Sequence, residues 1–98
     1  MLYAIIAQDK PNGLEDRMTV RPEHLDHLKS LGDKVVFAGA TLGTDDKPTG
    51  SLMVIEAGSL EEAKAMAAAD PFVTRGVFSS YEVTRWNWAV NNPTGRGL

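Results

Sequence analysis

The chain contains no cysteine. That excludes a disulfide framework, a thiolate nucleophile and any Cys-ligated zinc or iron–sulfur centre. Long apolar runs are also missing. Leu2–Ala7 is among the longest at six residues, far short of the roughly 20 needed to cross a bilayer. Met1 leads into that stretch without a basic region or a long apolar core, so no secretory leader is expected and a cytoplasmic location is. Basic clusters are scarce as well. Ten Lys and Arg are spread along the chain, and the closest approach to a cluster is Arg17 with Arg21. A nucleic-acid binder carries a basic stripe, because neutralising phosphates dominates its affinity. With a net charge of −3 and no such stripe, neither nucleic acid nor membrane is expected as a partner. What remains is a small acidic domain: 98 residues, 43% hydrophobic and 23% charged. Those fractions fit one globular domain rather than disorder, collagen or coiled coil.

The order of elements can be read from period and punctuation. Leu2–Ala7 is apolar on both alternating faces and ends in Asp9-Lys10-Pro11-Asn12-Gly13, which reads as a strand buried on two sides. A helical pattern follows from Leu14 to Leu31, with Leu25, Leu28 and Leu31 expected on the inner face. Pro22 within it predicts a kink or a fresh start near Thr19–Pro22, and Gly32 predicts the stop. Val35–Ala40 and Leu52–Glu56 read as two strands of a hairpin around the polar loop Gly43–Gly50. Ser59-Leu60-Glu61-Glu62 is a capping box: the Ser59 side chain takes the Glu62 amide while Glu62 reaches back to the Ser59 amide. The alanine-rich helix it opens should stop by Asp70, ahead of Pro71. Ser80–Trp88 supplies a fourth strand, with Tyr81 and Val83 on one face. The domain is expected to span residues 1–90, with a polar tail at 91–98.

The result is βαββαβ, an α+β ferredoxin-like arrangement: a four-stranded antiparallel sheet with both helices on one face. Its first and third strands should be central, matching the two strands richest in apolar side chains on both faces. The second sheet face then stays apolar and uncovered, which a soluble monomer rarely tolerates. A second copy packed sheet to sheet is the simplest cover, so a homodimer is expected.

Few residues can carry chemistry. His24 falls on the inward face of the first helix, seven residues after Arg17, which shares that face if the helix passes Pro22. An imidazole there suits general acid–base work; the alternative is a hydrogen-bonded core histidine. His27 lies nearer solvent, and the pair has no matching carboxylate set to hold a metal. Asp70, beyond the second helix, can cap the turn that begins at Pro71. It can also orient and charge-stabilise His24, since both helices lie on one sheet face. Ser51, at the start of the third strand, offers a hydroxyl to a ligand or is simply solvated. Gly39 and Gly50 let backbone approach a ligand or form bulges. Trp86 and Trp88, two apart, share a strand face and suit either a ring pocket or a dimer interface. No phosphate loop, nucleophile elbow or dinucleotide fingerprint occurs, so no cofactor and no metal are expected.

These residues together resemble the YciI-like proteins of the dimeric α/β-barrel superfamily. The resemblance runs through Asp9-Lys10-Pro11, Arg17, Arg21-Pro22-Glu23-His24-Leu25, Gly39-Ala40, Gly50-Ser51 and Asp70-Pro71-Phe72 to the strand ending near Trp86. It covers almost the whole domain; Ala40 stands where a second glycine is usual, and the tail after Trp88 falls outside the shared pattern. It implies a ferredoxin-like protomer, a barrel-like dimer and a His–Asp pair, matched here by His24 and Asp70, in a pocket between helices and sheet. Some relatives resemble muconolactone isomerases, and at least one YciI-like type is linked to dechlorination of hydroxyquinone-type rings. The expected function is therefore cofactor-free proton transfer on a small oxygenated ring or lactone, by an isomerase or dehydrochlorinase-like lyase. His24 would move the proton and Asp70 would fix its tautomer. Arg17 would hold an anionic oxygen, Ser51 would orient another, and Gly39 and Gly50 would flank the substrate. Two other readings stay open: a dimeric small-molecule-binding or accessory module without turnover, and a cofactor-free monooxygenase.

Overall fold

The structure, a computed structural model, describes residues 1–97. Its elements are β1 (Leu2–Asp9), α1 (Leu14–Leu31), a short 3-10 turn (Gly32–Lys34), β2 (Val35–Leu42), β3 (Pro48–Glu56), α2 (Leu60–Ala68), α3 (Pro71–Thr74) and β4 (Phe78–Trp86). The four strands form one sheet in the order β2-β3-β1-β4, antiparallel throughout. The expected βαββαβ α+β fold is therefore present, with β1 and β3 central.

Strand alternation divides the apolar side chains between two faces. Tyr3 and Ile5 from β1 and Met53 and Ile55 from β3 bury against Ala63 and Ala67 of α2, with Leu28 of α1 packed alongside. Farther along the same face, Ala7 meets Val20, Phe72, Val77 and Phe78. Leu2, Ala4 and Val54 point to the opposite face, where Val36, Trp86 and Trp88 pack on them. Among the described residues no helix is long and apolar enough to cross a membrane.

Several local expectations are corrected. Pro22 does not break α1, which runs through it from Leu14 to Leu31. The bond its missing N–H forfeits belongs to the Met18 carbonyl, and both residues are exposed, so water can serve the orphaned acceptor. The inward face holds Arg17, Val20 and His24, whereas Leu25 remains 43% exposed. One residue beyond His24 is a turn of about 100°, which carries Leu25 to the flank. Gly32 ends the helix as expected, with φ of 59°, a conformation glycine enters without steric cost. The hairpin strands are longer than expected and leave only Gly43–Lys47 as loop. Gly50 and Ser51 thereby lie inside β3, facing Thr41 and Ala40 across β2. Ser59 caps α2 through the Glu62 amide, but the Glu62 carboxylate takes the Gly58 amide instead of that of Ser59. The last strand ends at Trp86, so Trp88 lies beyond it.

The tail folds back on the domain. Trp88 Nε1 donates to the Val90 carbonyl at 2.9 Å, and the Asn92 side chain gathers the amides of Thr94 and Gly95. Arg96 reaches the Asp33 carbonyl at 2.6 Å. The final residue of the expected 91–98 tail, Leu98, lies outside the described residues.

Candidate active site

Two polar residues of α1, Arg17 and His24, are buried, and each has a partner. The Arg17 Nη1 group donates to both oxygens of Asp9, at 2.9 and 3.0 Å, and Nη2 donates to Ser51 Oγ at 2.9 Å. β1 ends at Asp9 and β3 places Ser51 on the helix-facing side, so the sheet holds the guanidinium from two strands. Ser51 is buried, not the solvated strand-end hydroxyl of the alternative reading, because β3 begins three residues earlier.

Two turns along α1 from Arg17, His24 meets Asp70. The Nδ1 group lies 2.8 Å from Asp70 Oδ1 and 3.0 Å from Oδ2. Asp70 is 1% exposed and also accepts the Phe72 amide at 2.9 Å, which makes it the N-cap of α3. The two roles foreseen for Asp70 are thus not alternatives: one carboxylate has lone pairs for both. An ionised carboxylate only accepts, so Nδ1 carries the hydrogen and Nε2 keeps the lone pair in the neutral ring. No partner is present for Nε2 among the described residues, yet no buried side-chain nitrogen or oxygen is left unsatisfied there. Nε2 is therefore accessible, and His24 lines a cavity of about 150 Å³.

Phe72 ties the site together. The His24 ring stacks on it with centroids 3.8 Å apart and planes 8° from parallel. The Arg17 guanidinium carbon sits 4.7 Å from the same ring's centroid, a cation–π distance. Between α1 and the sheet, the cavity is bounded by Arg17, Arg21 and His24 on one side and by Ala38–Ala40, Ser51 and Met53 on the other. Gly39 lines it through its backbone, and a Cβ there would meet nothing within 4 Å. Gly50 is different: a Cβ would run into the Ala7 carbonyl of the neighbouring strand, so this glycine serves the approach of β3 to β1. Asp9, Phe72 and Arg21 were not singled out as site residues from sequence. All three nevertheless stand within segments that carry the family resemblance: Asp9-Lys10-Pro11, Asp70-Pro71-Phe72 and Arg21-Pro22-Glu23-His24. Among the described residues no three His, Cys, Asp or Glu side chains gather as a metal site would require.

The family model of the YCII-related domain matches residues 1–87. The chain belongs to the YCII-related family. Within that family, protein YciI of Escherichia coli O6:H1 is 43% identical over 91 residues, covering 85% of this chain and 93% of that protein. The derivative of benzaldehyde biosynthesis cluster protein C of Emericella nidulans is 39% identical over 89 residues, covering 80% and 91%. Among solved structures, 5-chloro-2-hydroxyhydroquinone dehydrochlorinase (TftG) of Burkholderia phenoliruptrix AC1100, a complex with 2,5-dihydroxybenzoquinone, superposes with a TM-score of 0.83. The two are 35% identical, with 89% of this chain and 94% of that one covered. This YCII-related chain thus shares the dimeric α/β-barrel superfamily with a neighbour that is an enzyme.

Proposed function

We propose that this protein is an acid–base enzyme acting on a small oxygenated ring or lactone, by isomerisation or loss of hydrogen halide. One observation carries the reading: His24 bonds Asp70 through Nδ1, leaves Nε2 accessible and lines a cavity of about 150 Å³. Nε2 accepts a proton from a ring hydroxyl or carbon. Asp70 holds the tautomer and offsets the imidazolium charge, and the stacked Phe72 ring fixes the imidazole plane. The proton then returns to another substrate atom in an isomerisation, or leaves with the halide in an elimination. Arg17 and Ser51 offer their remaining N–H and O–H groups to substrate oxygens. The neighbouring dehydrochlorinase supports this class of chemistry. Proton transfer within the substrate calls for no redox cofactor. We further propose that the working form is a homodimer, its open sheet faces packed together.

The test is turnover of chlorinated hydroxyhydroquinones and muconolactone-type lactones by the wild type and by His24→Gln. A positioned base contributes about 10²–10⁴-fold, so the variant should lose that factor in kcat while ligand affinity changes little. Equal rates in the two proteins would dismiss His24 as the base. Tight, pH-independent binding with no turnover would instead favour an accessory binding module.

A further inference from the structure

We infer that Arg21 is the anion-recognition residue of the His24 cavity, and that the ligand is a small ring bearing one ionised oxygen group. Arg21 lines the cavity together with Arg17 and His24, which lie about one turn to either side of it along the same side of α1. The other charged groups of this region are already matched. Asp9 neutralises Arg17 at 2.9 Å, and Asp70 faces His24 at 2.8 Å.

Arg21 forms no hydrogen bond or ion pair among the described residues. On a helix a side chain meets those three and four positions away, which for Arg21 are Arg17, Met18, His24 and Leu25. None is acidic. The nearby Glu23 is taken by Arg75 at 2.7 Å. Arg21 thus brings an uncompensated positive charge to the cavity, beside the partly apolar lining of Leu25, Leu28 and Met53. Low-dielectric walls focus such a field and draw in a counter-ion. A guanidinium matches a carboxylate or an ionised enol with two parallel N–H donors. The cavity size suits one six-membered or smaller ring. This shifts the anion-holding role from Arg17, whose charge Asp9 cancels, to Arg21.

The inference deepens the acid–base reading and depends on it only for the cavity's identity as the ligand site. Equilibrium binding, measured by calorimetry without turnover, therefore tests it separately. Two pairs of probes distinguish the anion's source: 2,5-dihydroxybenzoate against 2,5-dihydroxybenzamide for a carboxylate, and tetronate against an uncharged butenolide for an ionised enol. The wild type should prefer the anion of at least one pair tenfold or more, and the preferred pair names the source. Arg21→Gln, at an exposed position with no partner to lose, should reduce that preference to threefold or less. Arg21→Lys should restore part of it, and His24→Gln should retain it. A preference that survives in Arg21→Gln, or a wild type with none, would overturn the assignment even if catalysis by His24 were established.

Discussion

Asp70 carries two duties that can be separated by one substitution. Its Oδ1 accepts both the His24 ring and the Phe72 amide. In Asp70→Asn the amide oxygen can keep the cap, since Asn caps as well as Asp. The amide NH₂ then faces His24 Nδ1 and favours the tautomer with hydrogen on Nε2. Such a protein should fold, losing about 1–3 kcal/mol for the charged hydrogen bond, and should lose activity because the exposed nitrogen no longer has a lone pair. Asp70→Ala removes the cap as well and should cost about 1 kcal/mol more. Urea unfolding of the two variants checks this; equal stabilities would mean that the cap contributes nothing. Much of this site was legible in the residues themselves. His24 sits on the inward side of a helix, and Asp70 stands where a helix must end before Pro71. The distance between them was not legible, because it depends on how α1 and α3 pack.

At the scale of elements, two glycines of the β2–β3 hairpin look interchangeable in sequence and are not. Gly50 lies between β2 and β1, where a Cβ would meet the Ala7 carbonyl and the Thr41 hydroxyl. Gly39, on edge strand β2, has open space. Gly50→Ala should therefore destabilise by about 1–3 kcal/mol, the usual cost of overpacking, while Gly39→Ala should be near neutral. Thermal unfolding of the two variants decides, and a stable Gly50→Ala protein would mean that β3 can shift away from β1 without loss. The helix α1 teaches the same lesson about context. Its proline predicted a break, but on an exposed side one lost backbone bond is insufficient to divide a helix whose other face is anchored by Arg17, Val20 and His24. Strand ends were misplaced for a related reason. Pro48, Thr49 and Gly50 look like loop by composition, yet pairing with β2 extends the ladder through them.

The whole molecule leaves one sheet face without a layer of helices. Ile6 is 47% exposed, Leu52 42% and Phe37 39%, beside a cluster in which Phe37 meets Trp86 and Trp88 edge-on at 6.0 and 5.6 Å. At one end of this face Gly97 lies against Leu2. An apolar area of this kind favours association with a like surface. Light scattering at low micromolar concentration should give twice the 10.6 kDa chain mass. Replacing Ile6 and Leu52 by Lys should shift the protein toward single chains, and a wild type that scatters as a single chain would remove the case for the dimer.

The order of strands and helices, the centrality of β1 and β3, and the inward side of α1 were determined by the sequence alone. They follow from local periodicity, from turn residues and from the number of apolar faces each strand must bury. Tertiary packing decided which side chains meet: Arg17 with Asp9 and Ser51, His24 with Asp70, and Phe72 against both Arg17 and His24. These contacts join residues from 8 to 55 positions apart. A linear pattern can place a side chain on a face, but only the docking of helices on the sheet sets the distance across it. Arg21 shows the same division. Its uncompensated charge could be suspected from its helical neighbours, whereas its place on the cavity follows from the fold.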